Sequence, residues 1–211
     1  MRRRDMTCFG RALRAAGAAA ILCVVAMPTT GQEVGVEALI ADIDERAGQY
    51  AALVEILQGP DPARALAAFD VMLETGDKTM RETAISAAMT ATDERLRARA
   101  LWETLVRKDS ITLVIETDGL DDEARGALDK WIGAVSTWGI TARFPDTQCL
   151  NLWNSRSCEE DHNLSVSGLK IDMVYDGTIM GGLSLTSEGA LTGHVKNVDD
   201  NAVYPATIHL R

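Results

Sequence analysis

At 211 residues the chain is long enough for one domain or two small ones, each with enough chain to bury a core. Its 31 acidic residues outweigh 21 basic ones and leave a formal charge of −10, which excludes charge-driven binding to nucleic acid or to anionic lipid headgroups.

The first 31 residues read as a secretory signal. Arg2, Arg3, Arg4, Arg11 and Arg14 form a basic start, and Ala15 to Met27 is an uncharged apolar run too short to span a bilayer comfortably. Pro28 breaks the run, and Thr29 and Gly31 fit the small positions before a cut at Gln32. An uncleaved N-terminal anchor is the structural alternative. Leu22 before Cys23 argues against lipid attachment, and "RRRDMTCF" lacks the hydrophobic pair of a twin-arginine signal. Cleavage would remove five arginines and one aspartate, taking the formal charge from −10 to −14. The expected location is the periplasm or the exterior, with no integral membrane segment after cleavage.

The rest divides at a change of period, into a helical part over 32–109 and a β-rich part over 110–211. Val36, Ile40, Ile43, Ala47, Tyr50, Val54 and Leu57 recur at alternating intervals of 4 and 3, a heptad seam on one helix that Gly59 and Pro60 end. The seam has two readings. It makes a homo-oligomer through Val36, Ile40, Ile43, Tyr50, Val54 and Leu57, or it packs on the helices that follow.

An internal repeat comes next. "GDKTMRETAI" from Gly76 aligns with "TDERLRARAL" from Thr92 at a period of 16, and a fainter copy starts at Asp61. Asp61, Asp77 and Asp93 stand where N-caps belong, which predicts helices over 62–75, 78–90 and 94–107. The D-x-x-apolar-R-x-x-A-apolar pattern resembles that of HEAT-type α-solenoids over about 50 residues. The resemblance implies that Arg81 and Arg97 brace neighbouring helices, that Ala84 and Ala100 allow close packing, and that the stack offers a protein-binding surface. The match departs from the family, because here every helix carries the motif, whereas HEAT units are helix pairs of roughly 40 residues. A plain three- or four-helix bundle accounts for the same pattern.

From Ser110 strand signals take over. "ITLVIE" reads as a strand, and Leu120 to Trp138 as a helix opened by acidic residues, with Leu128, Trp131, Val135 and Trp138 as one apolar stripe. "ITARF" is a further strand. After the cysteine loop come "NLSVSG", "LKIDMVY", "TIMGGLSLT", "ALTGHVKN" and "YPATIHLR". Asp176-Gly177 is expected to form a two-residue hairpin turn, Gly189 to sit at a left-handed turn position, and Gly181, Gly182 and Gly193 to serve as bulges or close contacts. The fold class is therefore α+β, with N-terminal antiparallel helices, HEAT-like or a bundle, followed by an antiparallel meander of six or seven strands packed on one helix.

Cleavage would leave Cys149 and Cys158 as the only cysteines, and an even pair in an oxidising compartment is expected to form a disulfide. A zinc site with His162 and His194 is disfavoured by the spacing. Neither a nucleophile elbow, an H-E-x-x-H helix nor a phosphate loop occurs. Ser155 and Ser157 near His162 have no orienting acid, and "CEEDHN" (Glu159, Glu160, Asp161, His162) lacks the EF-hand ligand order.

No cofactor is expected. The leading expectation is a non-enzymatic exported module that binds an unidentified protein partner through its helices, with Arg81 and Arg97 as candidate binding residues. The alternative is a β domain binding a glycan or lipid, with Trp153 and the cysteine loop as its rim, because Trp153 is the one tryptophan outside a helical apolar stripe.

Overall fold

The computed structural model describes residues 35–153, 157–158 and 161–210. The signal segment lies outside them. Four helices lead: α1 (Val36–Leu57), α2 (Pro62–Thr75), α3 (Lys78–Met89) and α4 (Glu94–Leu105). The capping aspartates set their starts. Asp61 accepts from the N–H groups of Ala63 and Arg64, Asp77 from Met80 at 2.8 Å and Asp93 from Leu96 at 2.9 Å. Each such cap contributes about 1 kcal/mol. α1 packs on α2 and α3, and α2 touches both α3 and α4. Phe69, Leu96, Leu101, Ala84 and Ala100 are fully buried between them.

Nine strands follow, with one helix among them: β1 (Ser110–Ile115), α5 (Asp122–Trp131), β2 (Val135–Gly139), β3 (Ala142–Phe144), β4 (Cys149–Asn151), β5 (His162–Ser167), β6 (Lys170–Tyr175), β7 (Ile179–Leu185), β8 (Ala190–Asn197) and β9 (Val203–His209). The sheet order is β2-β1-β9-β8-β7-β6-β5-β4-β3 and every pairing is antiparallel. Counting directions around that order, β2 and β3 run the same way. Only Ile140 and Thr141 separate them. The Ile140 N–H donates to Asp109 on the β1 side, and the Thr141 N–H donates to Asn151 on the β4 side. Residues 135–144 are thus one bent extended segment that serves both edges of the sheet and curls it into a ring.

The interior is side chain, as a small ring of strands requires. Ile111, Leu113, Leu150, Leu164, Ile171, Met173, Leu183, Leu191 and Ile208 fill it. Gly193 lets β7 and β8 approach closely, since a Cβ there would lie 2.1 Å from the Gly182 carbonyl oxygen and 2.8 Å from Leu183 Cα. Close packing is therefore the role of this glycine, in an unbroken β7–β8 register without a bulge.

The predicted long helix is corrected. α5 stops at Trp131, the Gly133 N–H bonds back to the Leu128 carbonyl, and Gly133 takes φ +71°. Val135 and Trp138 then belong to β2, Val135 exposed and Trp138 buried, so the four residues form no single helical stripe. Trp131 meets Tyr204 and Trp138 meets Tyr175. The strand count rises from six or seven to nine, because β2 hides in the supposed helix and β4 in the supposed cysteine loop. At the β6–β7 turn both Asp176 and Gly177 have positive φ as expected, but the loop has three residues. Thr178 donates to the Tyr175 carbonyl and pairing resumes at Ile179.

The alternation of strand directions sorts the loops to two ends. The β3–β4, β5–β6 and β7–β8 turns share the end at which β1 starts, beside α4. At the other end lie α5, the β4–β5 loop and the β6–β7 and β8–β9 turns.

Candidate functional site

The arginines that the repeat singled out sit at the helical end, and both are half-buried. Arg81 donates to the Gly76 carbonyl at 2.8 Å, just before its own helix. Arg97 reaches further: its Nε donates to Met89 and its Nη2 to the carbonyls of Leu185 and Thr186, the latter at 2.6 Å. Arg97 therefore ties α4 to the β7–β8 turn. Arg143 makes the same kind of link from β3, donating to the Val106 and Lys108 carbonyls. A groove of about 470 Å³ opens near this junction, with Ile85, Met89 and Leu210 among its lining and Glu82, Arg107 and Lys108 as its charged members. Arg107 is already paired with Glu103 at 3.1 Å.

The seam of α1 divides in two. Leu57 is buried and Tyr50 and Val54 are half-buried where α1 meets α2 and α3. Val36, Leu39, Ile40 and Ile43, one turn apart on a single face, are each more than half exposed. Helical geometry puts Glu37 and Asp44 along one flank of this stripe and Asp42 and Arg46 along the other. Asp42 and Arg46 form an ion pair at 4.0 Å, so among the described residues it is the flank of Glu37 and Asp44 that carries carboxylates without an ion pair. Val36, Ile40 and Ile43 belong to the heptad seam of the sequence, whereas Leu39 lies off the strict 4-3 spacing.

At the opposite end the disulfide Cys149–Cys158, with Cα atoms 6.1 Å apart, ties the β4–β5 loop back onto β4. Cys149 lies in a strand, so the bond anchors loop to sheet. The Asn151 side-chain amide donates to the Ser157 carbonyl, Thr141 Oγ1 donates to the Trp153 carbonyl and the Leu152 N–H to the His162 carbonyl. Trp153 is 58% exposed. Its ring lies 5.5 Å from that of His162, His162 is 5.1 Å from Tyr175 edge-on, and Tyr175 is 5.2 Å from Trp138. Four rings thus run from the interior to the rim. Asp176 Oδ1 lies 3.9 Å from His162 Nε2.

Ser155, Glu159 and Glu160 lie outside the described residues. Among the described residues no three His, Cys, Asp or Glu side chains gather where they could hold a metal ion, and no helix is long and apolar enough to cross a membrane. No protein-family model matches the chain, and no curated protein or solved structure matches it.

Proposed function

We propose that this protein is a non-enzymatic, exported protein-interaction module of the cell envelope, and that its docking edge is the free half of α1. The observation that carries the reading is the stripe Val36, Leu39, Ile40 and Ile43, left exposed by a helix whose other half is packed. Four large apolar side chains on one helix face form a contiguous patch of the kind that marks a binding surface. The arginine-rich leader and the Cys149–Cys158 disulfide support an oxidising compartment.

Charge selects the occupant. Two copies of the stripe laid antiparallel would set Glu37 and Asp44 of one against those of the other, and parallel pairing would set Asp44 against Leu39; neither neutralises the carboxylates. An amphipathic helix of another protein, with Lys or Arg beside its apolar face, does so.

The test is a photo-crosslinking residue at position 40 in the native host, with adducts mapped at peptide level. The expected adduct joins Ile40→benzoylphenylalanine to a basic amphipathic helix of one other polypeptide. Ile43→Asp should abolish it while changing stability by no more than about 0.5 kcal/mol, as for other surface changes. Adducts only to a second copy of this chain, or to none, would sink the proposal.

A further inference from the structure

We infer that the rim around Trp153 is a carbohydrate-binding platform for a neutral or amino-substituted oligosaccharide. The Trp153 ring has neighbours that hold it. An indole exposed to 58% just beyond a strand end would ordinarily be free to turn away from water, but this one has contacts on several sides. The disulfide closes its loop, Thr141 holds the Trp153 carbonyl, the neighbouring Leu152 N–H is bonded across to β5, and the ring itself rests against His162. His162 is in turn packed edge-on to Tyr175, which is backed by the buried Trp138. A ring already seated against His162 needs less ordering on binding, which is how an aromatic face gains affinity.

A sugar ring offers one face of C–H groups and an edge of hydroxyls. The indole face suits the first, because a large polarisable ring with a wet edge is amphipathic in the same way. The second needs donors and acceptors beside the ring, and the His162 imidazole and the Asp176 carboxylate stand there, 3.9 Å apart. Asp176 is well exposed, in the β6–β7 turn that the Thr178 N–H closes onto the Tyr175 carbonyl.

Asp161 is also exposed at this rim, and the chain as a whole carries −10. Phosphate-bearing ligands that also stack on aromatic rings, nucleotides and single-stranded nucleic acid among them, are repelled here. Neutral and amino sugars are not.

The experiment follows the four tryptophan indole N–H signals of the mature protein by 15N-edited NMR, with that of Trp153 assigned from Trp153→Phe. The probes are chitotetraose, partly deacetylated chitotetraose, cellotetraose and, as the anionic comparison, tetragalacturonate. The expected result is a saturable shift of the Trp153 signal with at least one of the first three. Trp153→Ala should weaken binding by about tenfold or more, as loss of a central aromatic anchor does. Trp153→Phe should keep most of the affinity and Asp176→Asn should lose several-fold, both with an unchanged melting temperature. A Trp153 signal unmoved by all three probes overturns the inference. So does a binding response that survives Trp153→Ala, or tetragalacturonate binding as tightly as the uncharged tetrasaccharides.

Discussion

The two ends of the curled sheet are finished in different ways. At the helical end, arginine side chains point at backbone: Arg97 at the carbonyls of Met89, Leu185 and Thr186, Arg143 at those of Val106 and Lys108. Their hydrogen-bonding capacity goes to joining helix to sheet. At the loop end the polar groups stand beside an uncovered indole, and the disulfide fixes the loop that carries it. The lesson is that a charged residue in a repeated motif is a different thing from a recognition residue. What separates them is whether the donors already have acceptors within the chain.

The comparison depends first on the ring that separates the two ends. Gly193→Ala should break it, because the added methyl meets main-chain atoms of Gly182 and Leu183 that cannot step aside. We expect a loss above about 3 kcal/mol, the upper end of overpacking costs, read by urea denaturation with both ends affected together. Replacing Cys149 and Cys158 by serine acts on the loop end alone. Closing a ten-residue loop is worth about 3 kcal/mol in the chain-entropy model, so the variant should unfold at lower urea and bind any Trp153 ligand more weakly. On the helical end Arg97→Ala should cost about 2 kcal/mol, since charged hydrogen bonds to main chain are lost. Arg81→Ala, with one bond to Gly76, should cost about 1 kcal/mol. If the two arginine variants prove equally mild, Arg97 is not what fastens α4 to the sheet.

What could be read from the sequence was local. Asp61, Asp77 and Asp93 announced three helices because a cap is a contact between residues two or three apart, and all three accept the expected N–H groups. The α+β class and the Cys149–Cys158 pair followed from period and parity of the same kind. The run from Leu128 to Trp138 misled for an equally local reason. Leu128, Trp131, Val135 and Trp138 keep a helical spacing by coincidence, and the signals against it were Gly133 and the β-branched Val135 and Thr137. Closure of the sheet had no local signature, because the β1–β9 pairing and the double use of residues 135–144 are decided by tertiary packing. Of the candidate sites, Trp153 was visible as a tryptophan outside any stripe. His162 was noted only as a possible metal ligand or base, and Asp176 only as a turn former. Their meeting depends on the register of β5 with β6, in which His162 faces Tyr175.

The pairing of β1 with β9 also dictates when the molecule can finish folding. β1 finds its second neighbour only in β9, where Leu113 pairs with Ile208 about 95 residues later, and non-local pairing of that kind is slow. As the chain emerges from the ribosome, the four helices can pack on one another long before the sheet is complete. Until β9 arrives, the edge of β1 in the β1–β2 pair and the edge of β8 are open, the state in which chains of this size are most exposed to aggregation and to chaperones.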